Sequence, residues 1–269
     1  MKDLAIIVCT YNRLALLKDC VQEIRRSVGN LTYEIVVTDG GSDDGTPAWL
    51  TEQTDVHTIL QTLPLTGAVA AHNLGFGYAV DQGFAFVAHV NDDAVMVGPD
   101  PEMQRAVELL RGDAGLGAVA FEYSFKDTWI FSRWFGKVYV NFGVIRREVG
   151  MAAAREYDPT GRAWWNPEYH TYAADVELGL RIWKAGLRIH EATGLRVRNR
   201  ESEAQDGMRK HNTALYYGGN DDSKRFIARW SRPMAQGQHV VAAGITHFYN
   251  GTLVAAGSKR NVFPPGTDE

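Results

Sequence analysis

The 269-residue chain is 45% hydrophobic and 22% charged, the makeup of a folded globular unit, which excludes a disordered polyelectrolyte. Its two cysteines, Cys9 and Cys20, exclude a disulfide framework and a multi-cysteine zinc centre. The net charge of −4 conceals a gradient: residues 1–180 carry 14 Lys and Arg against 24 Asp and Glu, whereas residues 181–232 carry 12 against 6.

Leu4 to Cys9 is a continuous apolar run, which predicts a buried parallel strand holding a reduced thiol at Cys9 and ending in the polar loop Thr10-Tyr11-Asn12-Arg13. Leu16, Leu17, Cys20, Val21 and Ile24 then fall on one face of a helix. A second strand over 33–38 ends in Asp39-Gly40-Gly41-Ser42-Asp43-Asp44-Gly45, a turn composition, and Thr46-Pro47 suits a helix start. A short strand at 57–60, a helix over 68–82 despite Gly75 and Gly77, and a strand over 85–90 ending in Asn91-Asp92-Asp93 complete the first half. Alternating strands and helices at this spacing form parallel βαβ units, whose ligand sites lie at the strand carboxyl ends. The loops at 10–13, 39–46 and 91–93 all emerge at that edge.

Beyond this, the pattern predicts a helix over 101–111, a strand over 118–121, one strand over 138–145, a helix over 175–185 and a strand at 187–189. Residues 198–222 are polar and aperiodic, and read as a mobile loop or short helices. No stretch of about 20 apolar residues is present, since 240–257 is broken by His247, Asn250 and glycines. The first apolar run is too short for a secretory leader. The expectation is a cytoplasmic protein of one domain, with halves at 1–97 and 98–235, an extension at 236–269 and a frayed tail from Pro264.

Two adjacent carboxylates at the mouth of a buried strand repel each other and resist ionisation, a conflict that a divalent cation relieves. Oxygen ligands of this kind suit Mg2+ or Mn2+, and such an ion neutralises a departing diphosphate. In order along the chain stand Thr10-Tyr11-Asn12-Arg13, the turn from Val37 to Thr46, the helix carrying Gly67, Ala71, Asn73 and Gly75, Asn91-Asp92-Asp93, and Asp175-Val176-Glu177-Leu178 with Arg181 and Ala185-Gly186. This series resembles the family 2 glycosyltransferases over residues 3–195.

The resemblance implies an α/β fold of the GT-A type, with a Rossmann-like, mostly parallel sheet flanked by helices, and inverting sugar transfer from a UDP-, GDP- or dTDP-sugar to an unknown hydroxyl acceptor. It implies that Thr10, Tyr11, Arg13, Asp39, Asn91 and Asp92 line the donor, with Asn73 either contacting it or locking the loops, that Asp93 binds the metal and that Asp175 is the general base. Asp43 and Asp44 read as turn and cap residues, and Glu177 as structural. Two departures stand out. Ala174 occupies the place of the family's usual Glu, and the family's His after the next strand is missing from Arg196-Val197-Arg198-Asn199-Arg200. Arg198 or Arg200 is the candidate to replace its charge at the diphosphate, whereas His247 reads as structural. Trp164 and Trp165 are candidate acceptor contacts or plain core, and Trp129, Phe131, Trp134 and Phe135 a packing group or acceptor rim.

A dehydrogenase or P-loop enzyme would need a glycine-rich turn after the first strand, which is absent. A non-catalytic nucleotide-sugar-binding protein, and a transferase whose basic 181–232 segment takes a nucleic-acid acceptor, remain as alternatives.

Overall fold

A computed structural model describes residues 2–61, 67–98, 101–125, 128–134, 137–200 and 219–230. His247, Phe135 and the expected extension at 236–269 lie outside these.

The chain runs β1 (Leu4–Thr10), α1 (Leu14–Ser27), β2 (Tyr33–Asp39), α2 (Thr46–Thr51), β3 (Val56–Leu60), α3 (Ala68–Asp81), β4 (Phe86–Asn91), β5 (Ala94–Met96), α4 (Glu102–Gly112) and β6 (Leu116–Phe125). It continues through β7 (Thr128–Ile130), β8 (Arg133–Trp134), β9 (Lys137–Val138), β10 (Gly143–Arg146), α5 (Arg147–Ala154), α6 (Ala174–Lys184), β11 (Arg188–Asn199) and α7 (Gly219–Trp230). The main sheet has the order β3-β2-β1-β4-β10-β6-β11-β5, with β7 beside β6, while β8 and β9 form a separate hairpin. β3, β2, β1 and β4 are mutually parallel, and β10 enters antiparallel to both β4 and β6. The sheet is therefore mixed: the βαβ rule governs its first half, and the reversal at β10 begins the second.

Strand periodicity sorts the core onto the two faces. Leu4, Ile6 and Val8 of β1 join Leu17, Val21 and Ile24 of α1 and Met103, Val107 and Leu110 of α4 on one face. Ala5 and Ile7 join Val69 and Phe76 of α3, Val176, Leu180 and Ile182 of α6, and Phe226 and Trp230 of α7 on the other. Each fully buried aliphatic or aromatic side chain contributes roughly 1.5–3 kcal/mol, so these faces dominate the energetics. Gly75 interrupts a helical pattern for a packing reason: a Cβ there would stand 2.4 Å from Cγ2 of Ile7, so the glycine lets α3 lie close on β1.

The structure corrects several expectations. The single strand expected over 138–145 is two. Val138 pairs with Arg133 in the hairpin and the Tyr139 N–H bonds Ser132 O at 3.0 Å, so the main sheet takes up the chain only at Gly143. Val138, Tyr139, Val140 and Phe142 are all buried, which is why the sequence reads as one run. The strand expected at 187–189 extends to Asn199, placing Arg198 in a strand and not in a loop. Helices α5 and α7 and strands β5, β7 and β8 lacked a period long enough to read. Among the described residues, no helix is long and apolar enough to cross a membrane.

Candidate active site

Register brings the first acidic groups together. Thr10 pairs with Asp39 and Cys9 with Asn91 across parallel strands, so β1, β2 and β4 end at one edge. Thr10 Oγ1 donates to Asp92 Oδ2 at 2.9 Å, and Arg13 Nη1 donates to Asp92 Oδ1 at 2.9 Å and to Asp93 Oδ2 at 3.4 Å. Both carboxylates are buried, at 4% and 7% exposure. Desolvation raises the Asp92 pKa, while the Arg13 charge and the Thr10 hydroxyl oppose that rise.

The two neighbouring loops are clasped to each other. Asn12, in the left-handed region at φ 52°, donates its N–H to Ser42 Oγ at 2.8 Å and accepts the Asp43 N–H at 2.8 Å. Asp44 accepts the Leu14 N–H at the start of α1 at 2.8 Å, and also the N–H and hydroxyl of Thr46 at the start of α2. One carboxylate thus satisfies orphan donors of two helices. Asp39 is 1% exposed, and its Oδ1 accepts both the N–H and the hydroxyl of Ser42. Tyr11 and Asn91 are half-buried beside this group, and the Asn91 carbonyl accepts the Cys20 thiol at 3.4 Å. Both cysteines are free; burial first, then the Asp92 charge, pushes the Cys9 thiol far up.

The segment that leads to Asp175 is bonded to the same edge through α3. Parallel β3 ends there, and α3 begins there. Val69 N, in the first turn of α3, donates to His170 O at 3.0 Å, which holds the segment leading to α6. Asp175 is the second residue of α6, behind Ala173 in a left-handed conformation at φ 68°. Burial pushes its carboxyl up to about 6, against the backbone N–H groups of Val176 and Asp175 itself, which favour the anion.

Other expected contacts take different roles. Asn73 exchanges two hydrogen bonds with the Trp165 backbone, at 2.7 and 3.0 Å, and so locks α3 to that segment. Trp164 is fully buried, stacked on Phe76 at 4.9 Å, and Trp165 is 6% exposed against His72 at 4.1 Å. Both are core and offer no free face to an acceptor. Arg198 is exposed on β11, whereas the Arg200 N–H bonds Asp93 O at 2.7 Å and its side chain reaches Asp19 at 2.6 Å. Of the two arginines, the structure brings only Arg200 to the acidic group. Glu177 is fully buried between Arg181, Arg229 and Asn166. Among the described residues of the basic segment, Arg188, Arg196 and Lys224 pair with Asp113, Glu122 and Asp221.

Sequence reasoning missed the buried His72 and His89, held neutral by burial at about 4 and about 3, and the carboxylate of Asp222. Lone histidines within apolar runs give no chemical signal. Asp222 lay in a stretch read as irregular.

Among the described residues, no group of three or more His, Cys, Asp or Glu side chains could hold a metal ion between them. Asp92 has both oxygens engaged, by Thr10 and Arg13, and Arg13 also reaches Asp93 at 3.4 Å. The arrangement fits an ion that takes one carboxylate from the chain and most of its oxygens from a diphosphate, as magnesium commonly does. It does not fit an ion caged by protein.

The family model described as Glycosyl transferase family 2 matches residues 5–165. A mannosyltransferase from Pyrobaculum calidifontis, solved with GDP-Man and Mn2+, superposes with a TM-score of 0.59 at 17% identity, covering 96% of this chain and 76% of that one. TarS from S. aureus superposes with a TM-score of 0.56 at 13% identity over 84% of this chain, which spans only 43% of TarS. A 1–349 form of TarS with UDP-GlcNAc gives 0.55 at 13% identity, over 73% of this chain and 58% of that one. These likenesses show the GT-A glycosyltransferase fold. No curated protein matches the chain in sequence.

Proposed function

The chain belongs to glycosyl transferase family 2, and from that membership and the acidic groups gathered at its sheet edge we propose a divalent-metal-assisted, inverting transfer of a sugar from a nucleoside diphosphate to an acceptor hydroxyl. The observation that carries the proposal is the gathering of Asp39, Asp92 and Asp93 at one sheet edge, with His170, in the segment that precedes α6, bonded to the first turn of α3.

In this reading, residues 1–97 hold the donor and residues 98–235 bring the acceptor. Asp39, with Oδ1 tied to Ser42, keeps Oδ2 for an N–H of the base. Thr10, Tyr11 and Asn91 line the nucleoside. Arg13 and Asp92 form an ion pair beneath the site, and Asp93, which the family resemblance makes the metal ligand, would hold the ion. That ion, when bound, would offset charge on the diphosphate. Asp175 accepts the acceptor's hydroxyl proton as its oxygen bonds the anomeric carbon from the face opposite the diphosphate, which leaves with the electron pair of the broken C–O bond. A base that titrates near 6 is ionised at neutral pH yet basic enough to take that proton.

The donors bound by the similar structures, GDP-Man and UDP-GlcNAc, support a nucleotide-sugar substrate. The test is a thermal-shift panel of UDP, GDP, CDP and dTDP, with and without Mn2+. Binding raises the melting temperature by linkage, so one nucleotide should shift it in a metal-dependent way. A flat panel at millimolar ligand rejects the proposal.

A further inference from the structure

Helix α7 lies beyond the family match, yet it is bonded to the segment that precedes Asp175. Asp222, in its first turn, is fully buried. Its carboxylate accepts three successive backbone N–H groups: His170 at 2.9 and 3.0 Å, Thr171 at 2.7 Å and Tyr172 at 3.1 Å. Consecutive N–H groups turned to one point form an anion-binding concavity, here filled from within the chain. The other side of the His170 peptide is held by α3. Its carbonyl accepts the Val69 N–H at 3.0 Å, and Gly67 (φ 95°) leaves room for it, since a Cβ there would stand 2.4 Å from that oxygen. A peptide gripped from both sides has little freedom, and left-handed Ala173 follows three residues later, then Ala174 and Asp175.

Further contacts fasten α7 itself. Phe226 is 1% exposed and meets Trp134 edge-on at 4.8 Å. Arg225 donates to Glu168 O at 2.8 Å, and Arg229 reaches the buried Glu177 of α6 at 3.3 Å.

We propose that Asp222 is a positioning residue for sugar transfer, fixing the 170–172 backbone from α7 so that Asp175 keeps its place at the start of α6. The inference rests on the reading of Asp175 as the base. Asp222 touches no reacting atom. It acts by holding α6's entry in a strained left-handed turn at Ala173 that a loosened segment would abandon.

The test titrates the Asp175 carboxyl carbon by NMR in the full chain, labelled with 13C-aspartate and assigned with Asp175→Asn. Wild type is compared with Asp222→Asn and Phe226→Ala, the second of which loosens α7 without removing a charge. Donor hydrolysis is followed in parallel, with UDP-GlcNAc or GDP-Man as the nucleotide panel selects. Both variants should lower the Asp175 titration by at least one pH unit and reduce kcat tenfold or more, with the donor KM within twofold. Titrations and kcat unchanged from wild type in both variants would overturn the proposal. So would a shift in Asp222→Asn alone, which would mark an effect of charge. If Asp222→Asn does not fold, Phe226→Ala decides alone. Wild-type turnover in Asp175→Asn would instead overturn the assignment of the base, and the catalytic part of the inference with it.

Discussion

Asn73 and Trp165 are joined by two hydrogen bonds, the Asn73 amide donating to Trp165 O at 2.7 Å and accepting the Trp165 N–H at 3.0 Å. This splice holds α3 to the polypeptide that leads toward α6, and it satisfies both groups of a buried peptide. Asn73→Ala should therefore destabilise the fold by about 2–3 kcal/mol, because two main-chain groups lose their partners in a buried setting. Asn73→Asp should fare no better, since a carboxylate would face the Trp165 carbonyl. Chemical denaturation measures both; equal stability to wild type would show that the splice contributes nothing.

Arg13 supports two buried carboxylates at once. Arg13→Ala leaves Asp92 buried with only Thr10 as a partner, and breaking such a pair typically costs roughly 3–5 kcal/mol. The double variant Arg13→Ala/Asp92→Asn removes the stranded charge and should recover a large part of that loss. A cycle in which the two losses simply add would contradict the coupling.

Catalysis should be lost as Asp175 protonates. Burial raises its pKa to about 6, so kcat should fall tenfold per pH unit below that value and level off above it. Asp175→Asn should abolish turnover and leave nucleotide binding intact. The sign of the stability effect follows from the raised value: the fold prefers the neutral carboxyl, a preference fully satisfied below the ordinary carboxylate range and lost as pH rises through about 6. Asp175→Asn should therefore melt higher than wild type at pH 8, with the difference vanishing near pH 4.

His72 and His89 make the fold sensitive to acid. Burial holds His72 down at about 4 and His89 at about 3, and the unfolded chain binds protons at both near pH 6.5. Stability present above 6.5 is lost as pH falls from there toward the folded values, at up to about 1.4 kcal/mol per pH unit for each histidine. His72→Gln should flatten this slope between pH 6 and 4, even if the variant is weaker at neutral pH. An unchanged slope would mean that His72 is already protonated or hydrated in the native protein.

The first half of the fold was legible because each element there carries one dominant signal. β1 is an unbroken apolar run, α1 a clean helical stripe, and the polar loops between them fall at intervals that parallel strands require. The place of the acidic group at a strand end was legible too, although Asn-Asp-Asp alone also makes ordinary turns and caps, and only its order among the other motifs singled it out. The finer roles were not. Asn73 and Trp165 are 92 residues apart, and their pairing depends on tertiary packing that no local pattern encodes. Trp164 and Trp165 looked equally suited to a sugar face and to the core; burial against Phe76 and His72 decides for the core. The second half failed at β9 and β10, where hydrophobicity on both sides erased the boundary, and at α7, whose Asp222 and Arg229 are chosen for partners more than 50 residues away.

The double cap made by Asp44 bears on how the cleft meets its ligand. With Leu14 and Thr46 anchored to one side chain, and Asn12 laced to Ser42 and Asp43, the loops proposed to hold the nucleoside are tied to each other before anything enters. A ligand arriving there displaces water without having to order those loops. Its association should then proceed at a rate set by diffusion and orientation, with little of the slow, temperature-sensitive phase that accompanies a surface folding around its guest.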